Sequence, residues 1–281
     1  MLVLPFMLIM CFIFIGGIFQ AVVQSLGYLP AFGMNDFTLD YYRQVLGNSR
    51  FVSSLFNSFY IAAVSSLLSV SAGTFMAFLF NKNRSGSFAL YKMPVIMPHL
   101  VAVILAYYTF SQTGIVSRLL YAINIINDPN SFPLFVYDRF NTSVILVYLY
   151  KQIPFVALTV LAVLKNLDKK YSQAAENLGA GKWLVLTRVT LPLLAPSVLS
   201  AFLVIFAFDF GAFEVPFVLG SPSKLSLPVL AYYDHINAGL TSRPSAMVTN
   251  VVISLVSILL ISIYSSLFNI LTKRGMEGEI L

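Results

Sequence analysis

Charged residues are scarce in this 281-residue sequence. Only 10% of positions are Asp, Glu, Lys or Arg, against about 25% in soluble domains. So few charges cannot cover a water-exposed surface, which excludes a soluble globular fold for the bulk of the chain. No polar stretch is long enough to build a second, soluble unit, so residues 1–281 read as one membrane domain. Cysteine is nearly absent as well. Cys11 stands alone in an apolar run, which excludes an intrachain disulfide and any multi-cysteine zinc or iron–sulfur site. The two histidines, His99 and His235, are far apart, and neither sits in a His-Glu-x-x-His pattern, so no metal site is expected. His99, beside Pro98, reads as a helix-packing residue.

What the sequence has in excess is apolar length. Hydrophobic residues make up 58% of the chain. Runs near twenty residues, the length that crosses a bilayer as a helix, occur at about 2–26, 51–80, 89–110, 142–164, 193–219 and 245–271. The expected fold class is therefore an all-α membrane protein with six transmembrane helices. The first run lacks a basic leading segment and is too long for a signal-peptide core, so it reads as a retained span. The third carries Pro94 and Pro98 in its first turns, where a kink is expected.

The net charge is +6. A basic balance can mark a nucleic-acid binder, but here the cations fall between apolar runs, as topological signals and contacts to anionic lipid do. Lys82, Arg84, Lys92, Lys165, Lys169, Lys170, Lys182, Arg188, Lys273 and Arg274 lie on one side of the six-span arrangement. Arg43, Arg50, Arg118, Arg139, Lys224 and Arg243 lie on the other, in longer loops. The positive-inside rule then places both termini in the cytoplasm. The outer loops carry turn-formers at Asn127–Pro129 and Gly220–Pro222; they either receive a partner or pack as ordinary connections.

Three ionisable residues fall within spans, where charge is costly and usually faces a bundle interior or a watery cavity. They are Lys151, Asp209 and Glu214. Lys151 and Asp209 each lie about ten residues from the outer end of a span, a depth of roughly 15 Å, so a Lys151–Asp209 ion pair is expected. Helical spacing puts Phe202, Phe206, Asp209, Phe213 and Pro216 on one face of the fifth span, and Val144, Tyr148, Lys151 and Phe155 on one face of the fourth. These faces either line a translocation path or pack the bundle around the ion pair. Glu214, near the outer surface, reaches toward headgroups.

The connection from Lys165 to Pro192, KNLDKKYSQAAENLGAGKWLVLTRVTLP, is the most informative segment. Tyr171–Leu178 is a short amphipathic helix. Gly179, Ala180 and Gly181 end it, since glycine tolerates the left-handed cap. A second short helix follows over about 182–189, and Leu191-Pro192 opens the fifth span. Such an elbow offers a ridge that a soluble partner can grip, with Ala174 and Ala175 allowing close approach; an amphipathic helix lying on the bilayer has the same local pattern. Gly179-Ala180-Gly181-Lys182 hints at a phosphate loop, but Glu176 stands where the first Walker glycine is required and Trp183 where Ser or Thr is required.

The segment resembles the EAA loop of ABC importer permeases, the inner-membrane components of binding-protein-dependent transport systems. That pattern is Glu-Ala-Ala, three residues, Gly, nine residues, Ile, one residue, Leu-Pro. Here it reads Gln173, Ala174, Ala175, then Gly179, then Val189, Leu191 and Pro192. The spacing matches throughout; Gln replaces the leading Glu and Val replaces Ile. Glu176 follows the motif's small residues. Phe37–Tyr42 and Leu167-Asp168 resemble the flanks of polyamine-type permeases, and ferric-iron, thiamine and phosphonate importers share the layout. The resemblance implies a type I importer architecture. Two permease chains, identical or homologous, form the pathway in a bacterial inner membrane. Two ATP-binding-cassette ATPases grip the elbows, and a substrate-binding protein delivers the cargo. It implies that ATP and magnesium belong to the ATPases and that this chain is neither an enzyme nor a cofactor binder. A polyamine-like cation is the expected cargo, on the strength of Asp209, Glu214 and the many tyrosines. The rival class is a secondary transporter or channel, which calls for broken midplane helices or an inverted repeat; the apolar runs show neither.

Overall fold

The computed structural model of the chain describes residues 4–82, 91–167, 169–237 and 243–277. Arg84, Asp168 and the expected first residues of the third span, 89 and 90, lie outside the described residues. The chain is helical, and among the described residues the one β feature is an isolated bridge between Leu29 and Met34. Among the described residues, six helical stretches are long and apolar enough to cross a membrane: Leu4–Ser25, Ser49–Asn81, His99–Ala122, Thr142–Asn166, Lys182–Gly211 and Arg243–Ile263.

The helices are α1 (Leu4–Ser25), α2 (Asp40–Leu46), α3 (Ser49–Lys82), α4 (Met93–Ile96), α5 (His99–Phe110), α6 (Ile115–Ala122), α7 (Thr142–Asn166), α8 (Lys169–Asn177), α9 (Lys182–Val185), α10 (Leu191–Gly211), α11 (Glu214–Leu219), α12 (Leu227–Asn237) and α13 (Arg243–Glu277). The centre of the bundle is the trio α3, α7 and α10. Helices α3 and α7 run parallel. Asn57 meets Asn141 near their starts, and Gly73 faces Val156 two-thirds of the way along. At Gly73 the approach is so close that a Cβ would lie 2.6 Å from the Val156 Cβ. Helix α13 packs on α10 and α12, and α1 leans on α13 with nearly all of its surface left for lipid.

Three apolar clusters stack along the bundle. Val160, Leu164 and Leu194 fill the end near α8. Val103, Val144, Tyr148 and Leu219 fill the opposite half, and Phe51, Phe206, Phe210 and Leu230 join α3 and α10 to α12. Between them lies a belt of buried small polar side chains, Ser65, Ser66 and Ser69. Small residues let membrane helices approach closely and supply hydroxyls for hydrogen bonds between them.

Among the described residues two spans are interrupted: the third as its prolines lead one to expect, and the fifth in correction of the unbroken run expected there. In the third, Met97 is extended at φ −64°, ψ 132°, between α4 and α5. The residue before a proline is pushed out of the helical region, and Pro98 follows, so the kink falls where the prolines predict it. In the fifth, α10 ends at Gly211, Ala212 is extended, and α11 resumes at Glu214. No proline forces that break, and the apolar run passes through it without a gap, so hydropathy alone does not reveal it.

Candidate functional site

The elbow at the end of α7 is built by local rules. Helix α8 is terminated by Gly179 at φ +86°. The Gly179 N–H donates to the Glu176 carbonyl at 2.9 Å, and the Ala180 N–H donates to the Ala175 carbonyl at 3.0 Å. That is the paired capping arrangement a left-handed glycine permits, and it satisfies carbonyls the helix end would otherwise leave bare. Gly181, by contrast, has ordinary extended backbone at φ −69° and open space where a Cβ would go.

Beyond the elbow the structure departs from the expected short helix and separate span. Helix α9 passes through a wider, π-type turn, Leu186–Thr190, directly into α10. In that turn the Leu191 N–H reaches back five residues to the Leu186 carbonyl. Pro192 has no N–H to donate, and its ring would crowd the Arg188 carbonyl in a regular helix; widening the preceding turn removes the conflict. The second arm of the elbow is therefore continuous with the fifth span, and Val189, Leu191 and Pro192 sit at the joint.

The elbow is bare. Gln173, Ala174 and Glu176 are exposed and Ala175 is half-buried. Leu178 is 90% and Trp183 76% exposed, with Leu184 beside them. Large apolar side chains exposed within a few residues of one another on a polar loop mark a surface that binds something.

The intramembrane groups are arranged differently from the expected pair. Lys151 and Asp209 do not meet. The Lys151 ammonium donates to the Met97 carbonyl, at the break between α4 and α5. That carbonyl is released from helical bonding by the break, and an unsatisfied carbonyl inside a membrane is costly. Asp209 is 3% exposed. Its two oxygens accept hydrogen bonds from the Ser65 hydroxyl of α3 and the Gln152 amide of α7, and the Gln152 carbonyl accepts from Ser69 at 3.0 Å. Lys151 and Gln152 are neighbours in sequence, so they point about 100° apart around α7. It is Gln152, not Lys151, that faces Asp209.

Tyr148, Lys151, Phe206 and Asp209 are all buried within the chain, and the Tyr148 hydroxyl has no hydrogen-bond partner among the described residues. Phe213 lies beyond the end of α10, so it does not continue the Phe202–Phe206–Asp209 face. It stacks instead on Phe217 at 4.8 Å and packs on Tyr232 at 5.0 Å. Glu214 is exposed. His99 packs its ring 5.1 Å from Phe208.

A second polar node joins residues that the sequence reading does not single out. At the end of the bundle opposite the elbow, Asn141 donates to Asn57 at 3.0 Å and accepts from the Ser221 N–H at 3.0 Å, while Asn57 donates to the Lys224 carbonyl at 2.8 Å. Amides placed inside or beside apolar runs, as Asn57, Asn141 and Gln152 are, were the available signal.

Residues 69–274 match the family described as binding-protein-dependent transport system inner membrane component. Among curated relatives, the chain is 27% identical over 217 residues to the molybdenum transport system permease protein ModB of Haemophilus influenzae, covering 74% of this chain and 91% of that one. It is 24% identical to the spermidine/putrescine transport system permease protein PotB of Escherichia coli, covering 85% of each. It is 30% identical to PotC of the same system in E. coli over 128 residues, about half of each chain (46% and 47%). Among solved structures, a chain of a bacterial ABC transporter that imports the acidic polysaccharide alginate superposes with a TM-score of 0.74 at 18% identity, covering 95% of this chain and 93% of that one.

Proposed function

The chain belongs to the family of binding-protein-dependent transport system inner membrane components, and from that premise we propose that its bare elbow is the grip through which separate ATPase subunits drive import. The chain is a transport permease, a multi-pass membrane subunit of an ABC importer. The observation that carries the coupling proposal is the exposure of the apolar side chains Leu178, Trp183 and Leu184 around a glycine-capped turn. Its second arm runs unbroken into the fifth span. A push on α8 is thereby delivered to α10 and, through Gln152 and Asp209, to α3 and α7.

The assembly proposed has two permease chains, two ATPases that carry the ATP and magnesium, and an extracytoplasmic binding protein. It sits in a bacterial inner membrane with the elbow and both termini on the cytoplasmic side. Membrane purification of the tagged chain tests this, comparing wild type with an Ala175→Glu, Gly179→Pro double variant. The expected result is an ATPase recovered with wild type and lost with the variant, at equal permease levels. An intact membrane preparation without any ATPase would overturn the reading.

For cargo, a small polyamine-like cation is proposed, supported by the likeness to PotB over most of both chains. The acidic pair that pointed to a cation in the sequence contributes less than expected, because the Asp209 carboxylate is taken up by Ser65 and Gln152. An oxyanion is the second reading, favoured by the likeness to ModB. Uptake of labelled putrescine and of molybdate by cells with and without the gene separates the two.

A further inference from the structure

At the end of the bundle opposite the elbow, a cleft of about 240 Å³ opens between α2, the start of α3, α12 and the start of α13. Its floor includes Phe51 and Leu230, both buried, and its walls carry Gln44, Arg50, Asp234 and Ser245. Arg50 is exposed and Asp234 half-buried. The two act on each other electrostatically across the cleft, yet they do not close into an ion pair. Among the described residues neither side chain has a hydrogen-bond partner. Burial pushes the Asp234 carboxyl above its usual range, and the Arg50 charge offsets this only in part. A second cation arriving at Asp234 would complete what Arg50 leaves undone.

The level of the cleft limits what can fill it. Ser65 lies at the middle of α3, and Arg50 is fifteen residues closer to its start, about 22 Å along the helix axis. The hydrocarbon core extends about 15 Å from the midplane and the headgroups to about 20–22 Å. Arg50 therefore stands at headgroup depth.

We propose that this cleft holds the headgroup of a zwitterionic aminophospholipid, with the phosphate on Arg50 and the primary ammonium on Asp234. Arginine matches phosphate through two parallel N–H donors. A carboxylate distinguishes an ammonium with N–H donors from a quaternary one without them. Gln44 and Ser245 supply neutral donors and acceptors between the two charges. The site would tie α2 and α12 to the starts of two spans on the face away from the ATPases.

The test uses the full chain purified in detergent and depleted of lipid. Retained lipids are read by native mass spectrometry, and thermal stability is read on titration with phosphatidylethanolamine, phosphatidylcholine, phosphatidylglycerol and soluble glycerophosphoethanolamine. The expected order places phosphatidylethanolamine first. Arg50→Gln should weaken it about tenfold, the loss of one charge-assisted contact. Asp234→Asn should erase the preference over phosphatidylcholine and leave overall folding intact. Equal stabilisation by phosphatidylglycerol, or an unchanged preference in Asp234→Asn, would overturn the proposal. Equal stabilisation by soluble glycerophosphoethanolamine would overturn the membrane source while keeping the headgroup chemistry. If Arg50→Gln lost a binding protein while its lipid preference stayed the same, the cleft would be a protein-docking surface and the lipid assignment would fall.

Discussion

Gln152 on α7 donates a hydrogen bond to Asp209 on α10, and the same amide accepts one from Ser69 on α3. One side chain thus ties together the three helices at the centre of the bundle. Replacing Asp209 with Ala leaves the Gln152 amide facing no acceptor in a buried site, while the Ser65 hydroxyl keeps the Ile61 carbonyl at 2.6 Å. The expected cost is about 1–2 kcal/mol, the upper range for hydrogen bonds between membrane helices. Asp209→Asn keeps an acceptor for Gln152 and should lose less than half of that. Denaturant unfolding in detergent measures both. Because Lys151 reaches Met97 instead, the double exchange Lys151→Asp with Asp209→Lys should transport no better than either single variant.

Gly73 has no side chain because α7 occupies the space. A Cβ there would lie 2.6 Å from the Val156 Cβ and 2.9 Å from the Ile153 carbonyl oxygen. Gly73→Ala should therefore destabilise the chain by about 1–3 kcal/mol through overpacking of α3 on α7. Gly17→Ala on α1 meets open space and should be neutral or slightly favourable, since alanine is the better helix former. Thermal unfolding of the two variants side by side checks this. Equal melting temperatures would show that α3 can shift to accept the methyl.

The parts of the fold that depend on local chemistry were legible in the sequence. Six apolar runs fix the number of spans, Met97-Pro98 predicts the kink in the third, and the Gly179 cap predicts the elbow. The parts that depend on rotation were not. Depth along a helix placed Lys151 and Asp209 at one level, but only the direction around α7 decides that Gln152 takes the partner. The break at Ala212 was hidden for a related reason. Apolar residues continue across it, and the amide and hydroxyl contacts that anchor α11, such as Ser143 to the Leu219 carbonyl at 3.3 Å, come from distant segments. The continuity of α9 with α10 was likewise invisible, because Pro192 reads as a start signal unless the preceding turn is free to widen.

The elbow contains two nearby glycines with different conformational demands, which gives a matched pair of variants. Gly179 has φ +86°, where a Cβ costs about 1–2 kcal/mol. Gly181 does not. Gly179→Ala should distort the cap of α8 and lower transport several-fold at unchanged membrane levels, with ATPase activity becoming less responsive to cargo. Gly181→Ala should transport as wild type. Uptake and ATP hydrolysis in reconstituted vesicles read the difference. Equal loss in both variants would mean that flexibility of the loop, rather than the Gly179 cap, matters.

Asp234 makes folding depend on pH in a defined direction. Burial raises its pKa above the ordinary carboxylate range, and Arg50 opposes the rise without cancelling it. The folded state therefore holds the proton more tightly than the unfolded state. The stability this group contributes is present below about pH 4 and is lost as pH rises through the raised value. Asparagine in its place has no proton to lose. In lipid-depleted detergent, the melting temperature of Asp234→Asn relative to wild type should thus climb as pH rises from 4 to 7. A flat difference across that range would mean that the cleft is hydrated well enough to leave the carboxylate unperturbed. Adding phosphatidylethanolamine supplies an ammonium to the ionised carboxylate, so it should shrink the difference at pH 7 and leave it unchanged at pH 4.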